Sequence, residues 1–213
     1  MSHVTMRSGE IQRYSANERT HHWITAILFI LLAASGLAFF HPAFWPLTAL
    51  LGGGSWARIL HPFLGVLMFV SFFLLALRVW GDNKIEAHDR EWNKRLGDVI
   101  NNRDDNLPEI GKYNMGQKQL FRVLVVSIIV LLISGVVLWR PYFAGAFPID
   151  VVRLAALLHS LAGFVLILGI IVHIYAAIWV KGSIRAMTRG TVSHGWAQHH
   201  HPLWYRKMTG MTK

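Results

Sequence analysis

The chain contains no cysteine. That absence excludes disulfides, iron–sulfur ligation and thiolate-bound haem by this chain, so any redox cofactor it holds must use histidine or methionine. Acid is scarce as well: 11 Asp and Glu stand against 21 Lys and Arg, for a formal charge of +10. None of the acids falls in the four long apolar stretches, about 23–40, 59–80, 120–139 and 154–180. A transporter that relays protons through buried histidines usually pairs them with carboxylates, so this absence weakens a haem-free anchor or transporter as a reading.

What is present is apolar residue in clusters. With 54% hydrophobic content gathered into those four stretches, the sequence reads as an all-α integral membrane protein, a four-helix bundle within a single domain, 1–213. The first stretch is too long for a signal-peptide core and ends in Phe39-Phe40-His41-Pro42 without a small-residue cleavage site, so it is expected to be retained. Placement decides what the basic excess means. Arg58, Arg140 and Arg153 lie by the two short connections, and the other 18 of the 21 basic residues lie by the termini and the middle loop. The basic side is cytoplasmic, so both termini are expected inside, and the charge needs no nucleic acid to explain it.

The fourth stretch carries His159 and His173, 14 positions apart. On an α-helix that spacing falls about 40° short of four turns and spans about 21 Å, so both imidazoles leave one face at two depths. Two more histidines match those depths. His61 opens the second span near the outer surface, and His22 stands at the inner edge of the first, beside Trp23 and after Arg7, Arg13 and Arg19. Axial ligands of one iron must share a height, so His61 pairs with His159 and His22 with His173. His21 is the rival to His22, since a turn of about 100° aims one of them away from the bundle. Two histidines on one haem iron leave no open position, and such a centre passes electrons. Gly36, 14 positions after His22, either leaves room for a flat macrocycle or serves close helix packing.

The connections carry further expectations. Pro42, Pro46 and Gly52-Gly53-Gly54 mark a turn-rich outer segment, and Pro62 suits the first turn of a helix. In the middle loop Trp92, Leu96, Val99 and Ile100 follow helical spacing among charges, as expected of a short helix lying on the membrane; Asn106-Leu107-Pro108 follows. Outer Arg58, Arg140 and Arg153 pair either with haem propionates or with lipid headgroups. The tail with His199-His200-His201 reads as a cytoplasmic surface segment.

These residues resemble the cytochrome b, or gamma, membrane subunit of respiratory formate dehydrogenases across nearly the whole chain. The likeness lies in His-Trp at 22–23, Arg-Ile-Leu-His-Pro-Phe at 58–63, Gly-Lys-Tyr-Asn-Met-Gly-Gln-Lys at 111–118, Trp-Arg-Pro-Tyr-Phe at 139–143, the fourth-span histidines, Trp-Val-Lys-Gly-Ser-Ile at 179–184 and His-His-Pro-Leu-Trp-Tyr at 200–205. The resemblance implies two b-type haems, His61 and His159 on the outer iron and His22 and His173 on the inner. It also implies a quinone site, for menaquinone or ubiquinone, at Asn114, Gly116 and His173 beside the inner haem. Its implied partners are an iron–sulfur beta subunit and a molybdenum or tungsten catalytic alpha subunit outside a bacterial inner membrane, as a trimer of heterotrimers in anaerobic respiration. Electrons from formate would then cross the membrane to quinone. The cytochrome b subunit of a membrane-bound hydrogenase, also a four-helix dihaem type, is the alternative within the redox class.

Overall fold

The computed structural model describes residues 9–101, 103 and 107–211. Arg7 and Asn106, which the sequence reading uses, lie outside them. Among the described residues, four helices are long and apolar enough to cross a membrane: α1 (Ala16–Phe40), α2 (Gly54–Val79), α5 (Met115–Leu138) and α6 (Ile149–Trp179). Between α2 and α5 lie α3 (Ala87–Lys94) and α4 (Leu96–Ile100). Strand β1 (Glu10–Gln12) precedes α1, and α7 (Ser183–Arg189), β2 (Thr191–Ser193), α8 (His194–His200) and α9 (Pro202–Thr209) follow α6. The protein is a multi-pass membrane protein built on a helical bundle.

Each long helix begins earlier than its apolar stretch, and in α1 and α5 polar capping residues start it. Ser15 and Glu18 form a reciprocal cap on α1: the Glu18 N–H donates to Ser15 Oγ at 3.2 Å and the Ser15 N–H to Glu18 Oε2 at 2.7 Å. Asn114 and Gln117 do the same for α5, at 2.9 and 3.0 Å. Helix α2 starts at Gly54, so Pro62 stands inside it rather than in its first turn. The Arg58 carbonyl consequently loses its usual donor four residues on.

The described residues gather into two compact units. One holds Thr20–Ala76 and Val123–His173, the greater part of the four long helices. Aromatic contacts tie them: Phe40 meets Phe164 at 4.8 Å and Phe63 meets Trp139 at 4.9 Å between ring centres, both edge to face.

The other unit combines the described parts of Met1–Arg19, Leu77–Arg122 and Ile174–Lys213. Here the C-terminal tail is a folded element, not a surface segment. β1 pairs antiparallel with β2, Ile11 opposite Val192, over a core of Ile11, Ala186, Val192, Ala197, Trp204 and Tyr205. Gly190 closes the clip: its carbonyl accepts from the Arg13 and Tyr14 N–H groups, and at φ +87° a side chain would run into the Tyr14 carbonyl at 2.8 Å. His201 is buried at the start of α9. Its Nε2 accepts from Arg13, which can only donate, at 3.1 Å, so Nδ1 carries the proton and donates to the Gly111 carbonyl at 2.8 Å. Burial and the neighbouring guanidinium push its pKa down to about 3, which keeps the ring neutral as an acceptor. Arg13 is itself 5% exposed and lies over the rings of Trp204 and Trp196 at 5.0 and 5.1 Å.

The surface helix expected across Trp92–Ile100 is two helices broken at Arg95, and they face different ways. Trp92 is buried, turned onto Gly116, whereas Leu96 and Ile100 are exposed. Asp89, one turn before Trp92, is fully buried and accepts from Lys118 Nζ at 2.6 Å and from the Glu86 N–H at 2.7 Å.

Candidate haem ligands

The histidines meet in the pairs that depth requires. His61 and His159 have ring centres 6.3 Å apart, and His22 and His173 have theirs 6.2 Å apart. An imidazole nitrogen binds a metal at about 2 Å, so two rings sharing one iron face each other with centres roughly 6 Å apart once each ring's own radius is added. Both pairs meet that requirement. It is the His22 ring, not that of its neighbour His21, that stands at this distance from His173; His21 Nδ1 lies 3.4 Å from Ser71 Oγ on α2, and its carbonyl accepts from the same hydroxyl at 3.2 Å. On the inner pair, His22 Nδ1 is buried and has no hydrogen-bond partner among the described residues. His22, His61 and His159 are half-buried and His173 is exposed.

Two serines that the sequence reading passed over orient the outer pair. Ser35 Oγ lies 2.7 Å from His61 Nδ1, and Ser134 Oγ 2.9 Å from His159 Nδ1. Each hydroxyl has one hydrogen, and it is committed to its own helix: Ser35 to the Leu31 carbonyl at 2.8 Å, Ser134 to the Val130 carbonyl at 2.6 Å. The serine oxygens therefore accept, both Nδ1 atoms carry protons, and both Nε2 atoms are left with the lone pair an iron needs.

An internal repeat, visible in the sequence once its meaning is known, carries this arrangement. Ser35-Gly36 on α1 precedes His61 by 26 positions, and Ser134-Gly135 on α5 precedes His159 by 25. Each of these histidines is followed four residues on, along the same helix face, by a glycine, Gly65 and Gly163. A Cβ at either would meet nothing within 4 Å, so both positions open space beside a ligand. Gly36 has another neighbour than expected: its Cβ would touch His61 Cε1 at 3.7 Å, while one at Gly135 would press His159 Cε1 at 3.3 Å. Gly36→Leu is accordingly expected to displace the His61 ring, at an overpacking cost of about 1–3 kcal/mol, and, with one haem held by each histidine pair, would lose the haem of this pair alone, whereas Gly36→Ala retains it. Haem content per chain checks this, and equal loss of both haems would assign Gly36 to general packing.

The other expected site residues lie in the second unit. Asn114 caps α5 through its Oδ1, and its Nδ2 takes no part in the hydrogen bonds of the described residues. A Cβ at Gly116 would lie 3.4 Å from both Asn114 Oδ1 and Trp92. Both positions therefore have a role in the fold whatever else they bind. Of the outer arginines, Arg58 and Arg140 are exposed, and Arg153 makes a surface pair with Asp150 at 3.6 Å that adds little stability.

The pattern of the family described as prokaryotic cytochrome b561 matches residues 13–190. The formate dehydrogenase cytochrome b556(fdo) subunit of Escherichia coli K12 is 48% identical over 97% of both chains. The formate dehydrogenase cytochrome b556 subunit of Haemophilus influenzae is 45% identical over 92% of this chain and 83% of its own, and the nitrate-inducible cytochrome b556(Fdn) subunit of E. coli K12 is 42% identical over 95% and 93%. A likeness of that extent, joined to histidine pairs spaced for iron, makes this chain a haem b membrane electron-transfer subunit that belongs to the prokaryotic cytochrome b561 family.

Proposed function

We propose that residues 1–213 form one dihaem domain that anchors a formate dehydrogenase in the bacterial inner membrane and carries electrons from an iron–sulfur subunit to quinone. Two b-type haems supply one-electron centres at two depths. His61 and His159 would hold the outer iron, and His22 and His173 the inner. The observation that carries this reading is the pair of imidazole separations, 6.3 and 6.2 Å, each of the size one shared iron requires. Two histidines holding each iron would leave neither open to oxygen or substrate, which favours electron transfer over catalysis at the metal. Formate oxidation itself would belong to a molybdenum or tungsten alpha subunit, joined through an iron–sulfur beta subunit, because this chain has no cysteine to hold such chemistry. The basic termini and middle loop favour a cytoplasmic placement for both ends. The protein purified with its partners should show a b-type reduced-minus-oxidised spectrum and two haems per chain. One haem, or none, would overturn the dihaem reading.

Quinone is assigned to Asn114 and Gly116. Asn114 Nδ2 is a donor suited to a quinone carbonyl, and Gly116 allows close approach of backbone. Because Asn114 also caps α5, the informative variant is Asn114→Asp, which keeps a capping oxygen and removes the amide donor. It should slow quinone reduction with both haems bound and still reduced by the donor. Asn114→Ala adds the loss of the cap, about 1 kcal/mol. Quinone kinetics at the wild-type rate in Asn114→Asp would remove this side chain from the site.

A further inference from the structure

The four proposed ligands are not held alike. Both outer histidines donate from Nδ1 to a serine oxygen, at 2.7 and 2.9 Å, whereas His22 on the inner pair has a buried Nδ1 with no hydrogen-bond partner among the described residues. A serine bonded back to its own helix carbonyl is common and by itself says nothing about a ligand. What distinguishes Ser35 and Ser134 is that the same arrangement occurs twice, on two helices, each buried and each aimed at a histidine of one pair.

A hydrogen bond donated by the far nitrogen raises the basicity of the nitrogen that binds the metal. A more electron-rich ligand favours the oxidised iron and lowers its potential, and second-shell hydrogen bonding is one of the means by which proteins tune haem. The outer pair has this support on both ligands. On the inner pair at least His22 lacks it.

We propose that Ser35 and Ser134 are positioning residues that lock both outer ligands in the Nε2-binding tautomer and hold the outer haem at a lower reduction potential than the inner one. The inference rests on the dihaem reading above. It gives the membrane crossing a direction, since electrons delivered outside move towards the centre of higher potential.

The test is a redox titration of the purified complex, followed by b-band absorbance and by the electron paramagnetic resonance of the two low-spin ferric irons. Ser35→Ala and Ser134→Ala should each shift the outer haem to higher potential and alter its resonance. The double variant should shift it further, and the inner haem should not move. Ser35→Thr and Ser134→Thr keep the hydroxyl and should restore the wild-type values. Loss of the outer haem alone in an alanine variant would also support ligand holding. An unmoved outer haem in the double variant, or parallel change or loss of both haems, would overturn the proposal. Wild-type protein without two haems would instead overturn the dihaem reading, before any serine is altered.

Discussion

On the proposed dihaem function, replacing His159 with alanine should lower the haem content from two per chain to one and abolish quinone reduction by the complex, while the remaining haem keeps its own spectrum. The reason is geometric. His159 faces His61 at 6.3 Å, whereas His173 on the same helix lies 14 positions on, about 21 Å along the axis, and faces His22. Removing His159 disturbs one level and leaves the other intact. Ser134 loses a donor, yet its hydroxyl stays bonded to Val130, so the substitution leaves no buried hydroxyl hydrogen unpaired. His159→Met offers a control, because a thioether can occupy an axial position and would raise the potential of a retained outer haem. Haem stoichiometry and the difference spectrum are the measurements. Selective loss of the inner haem would refute the pairing by depth.

Replacing Asp89 with asparagine should destabilise the second unit by about 3–5 kcal/mol, the usual cost of leaving one member of a buried ion pair alone. Lys118 is 2% exposed and Asp89 is fully buried, so neither charge can turn to water when the other is removed. Asp89 also accepts from the Glu86 N–H and so fixes the first turn of α3, while Lys118 donates to the Lys84 carbonyl at 2.9 Å. The loss should appear as a lower unfolding midpoint in detergent and as faster proteolysis between α2 and α5. Haem content should be unchanged, since all four histidines belong to the other unit. Replacing both residues with apolar side chains of similar volume should recover much of the loss. Equal stability of Asp89→Asn and wild type would show that the pair is not buried in solution.

The histidine pairs were legible because a charged or metal-binding side chain in an apolar run has few uses, and spacing along a helix converts sequence number into depth. His22, His61, His159 and His173 could be paired from that alone. Ser35 and Ser134 could not, because a serine bonded to its own helix and a serine holding a ligand have the same sequence appearance until a histidine is seen beside it. The long helices were legible as apolar stretches, and each starts five to seven residues before its stretch, in two cases at a polar cap. Ser15-Ala16-Asn17-Glu18 and Asn114-Met115-Gly116-Gln117 are capping patterns, but their polarity placed them outside an apolar window. The tail was misread for the opposite reason. Trp204, Tyr205 and His201 stand among basic residues and look solvated, and their burial comes from partners as distant in sequence as Arg13 and Ile11. Contacts of that range leave no local period to read.

The pairing of β1 with β2 constrains the order of events when the chain is made. Glu10–Gln12 leaves the ribosome first and its partner Thr191–Ser193 near the end, with four membrane-crossing helices between them. The first strand must wait, unpaired, through the whole of insertion. Only an even number of crossings returns the chain to the side on which it began, so a product with one helix left uninserted would keep the two strands on opposite sides of the bilayer. Closure of this short ribbon is thus a parity check on membrane insertion. A chain that fails it presents Ile11 and Val192 uncovered, as surface open to quality-control proteases.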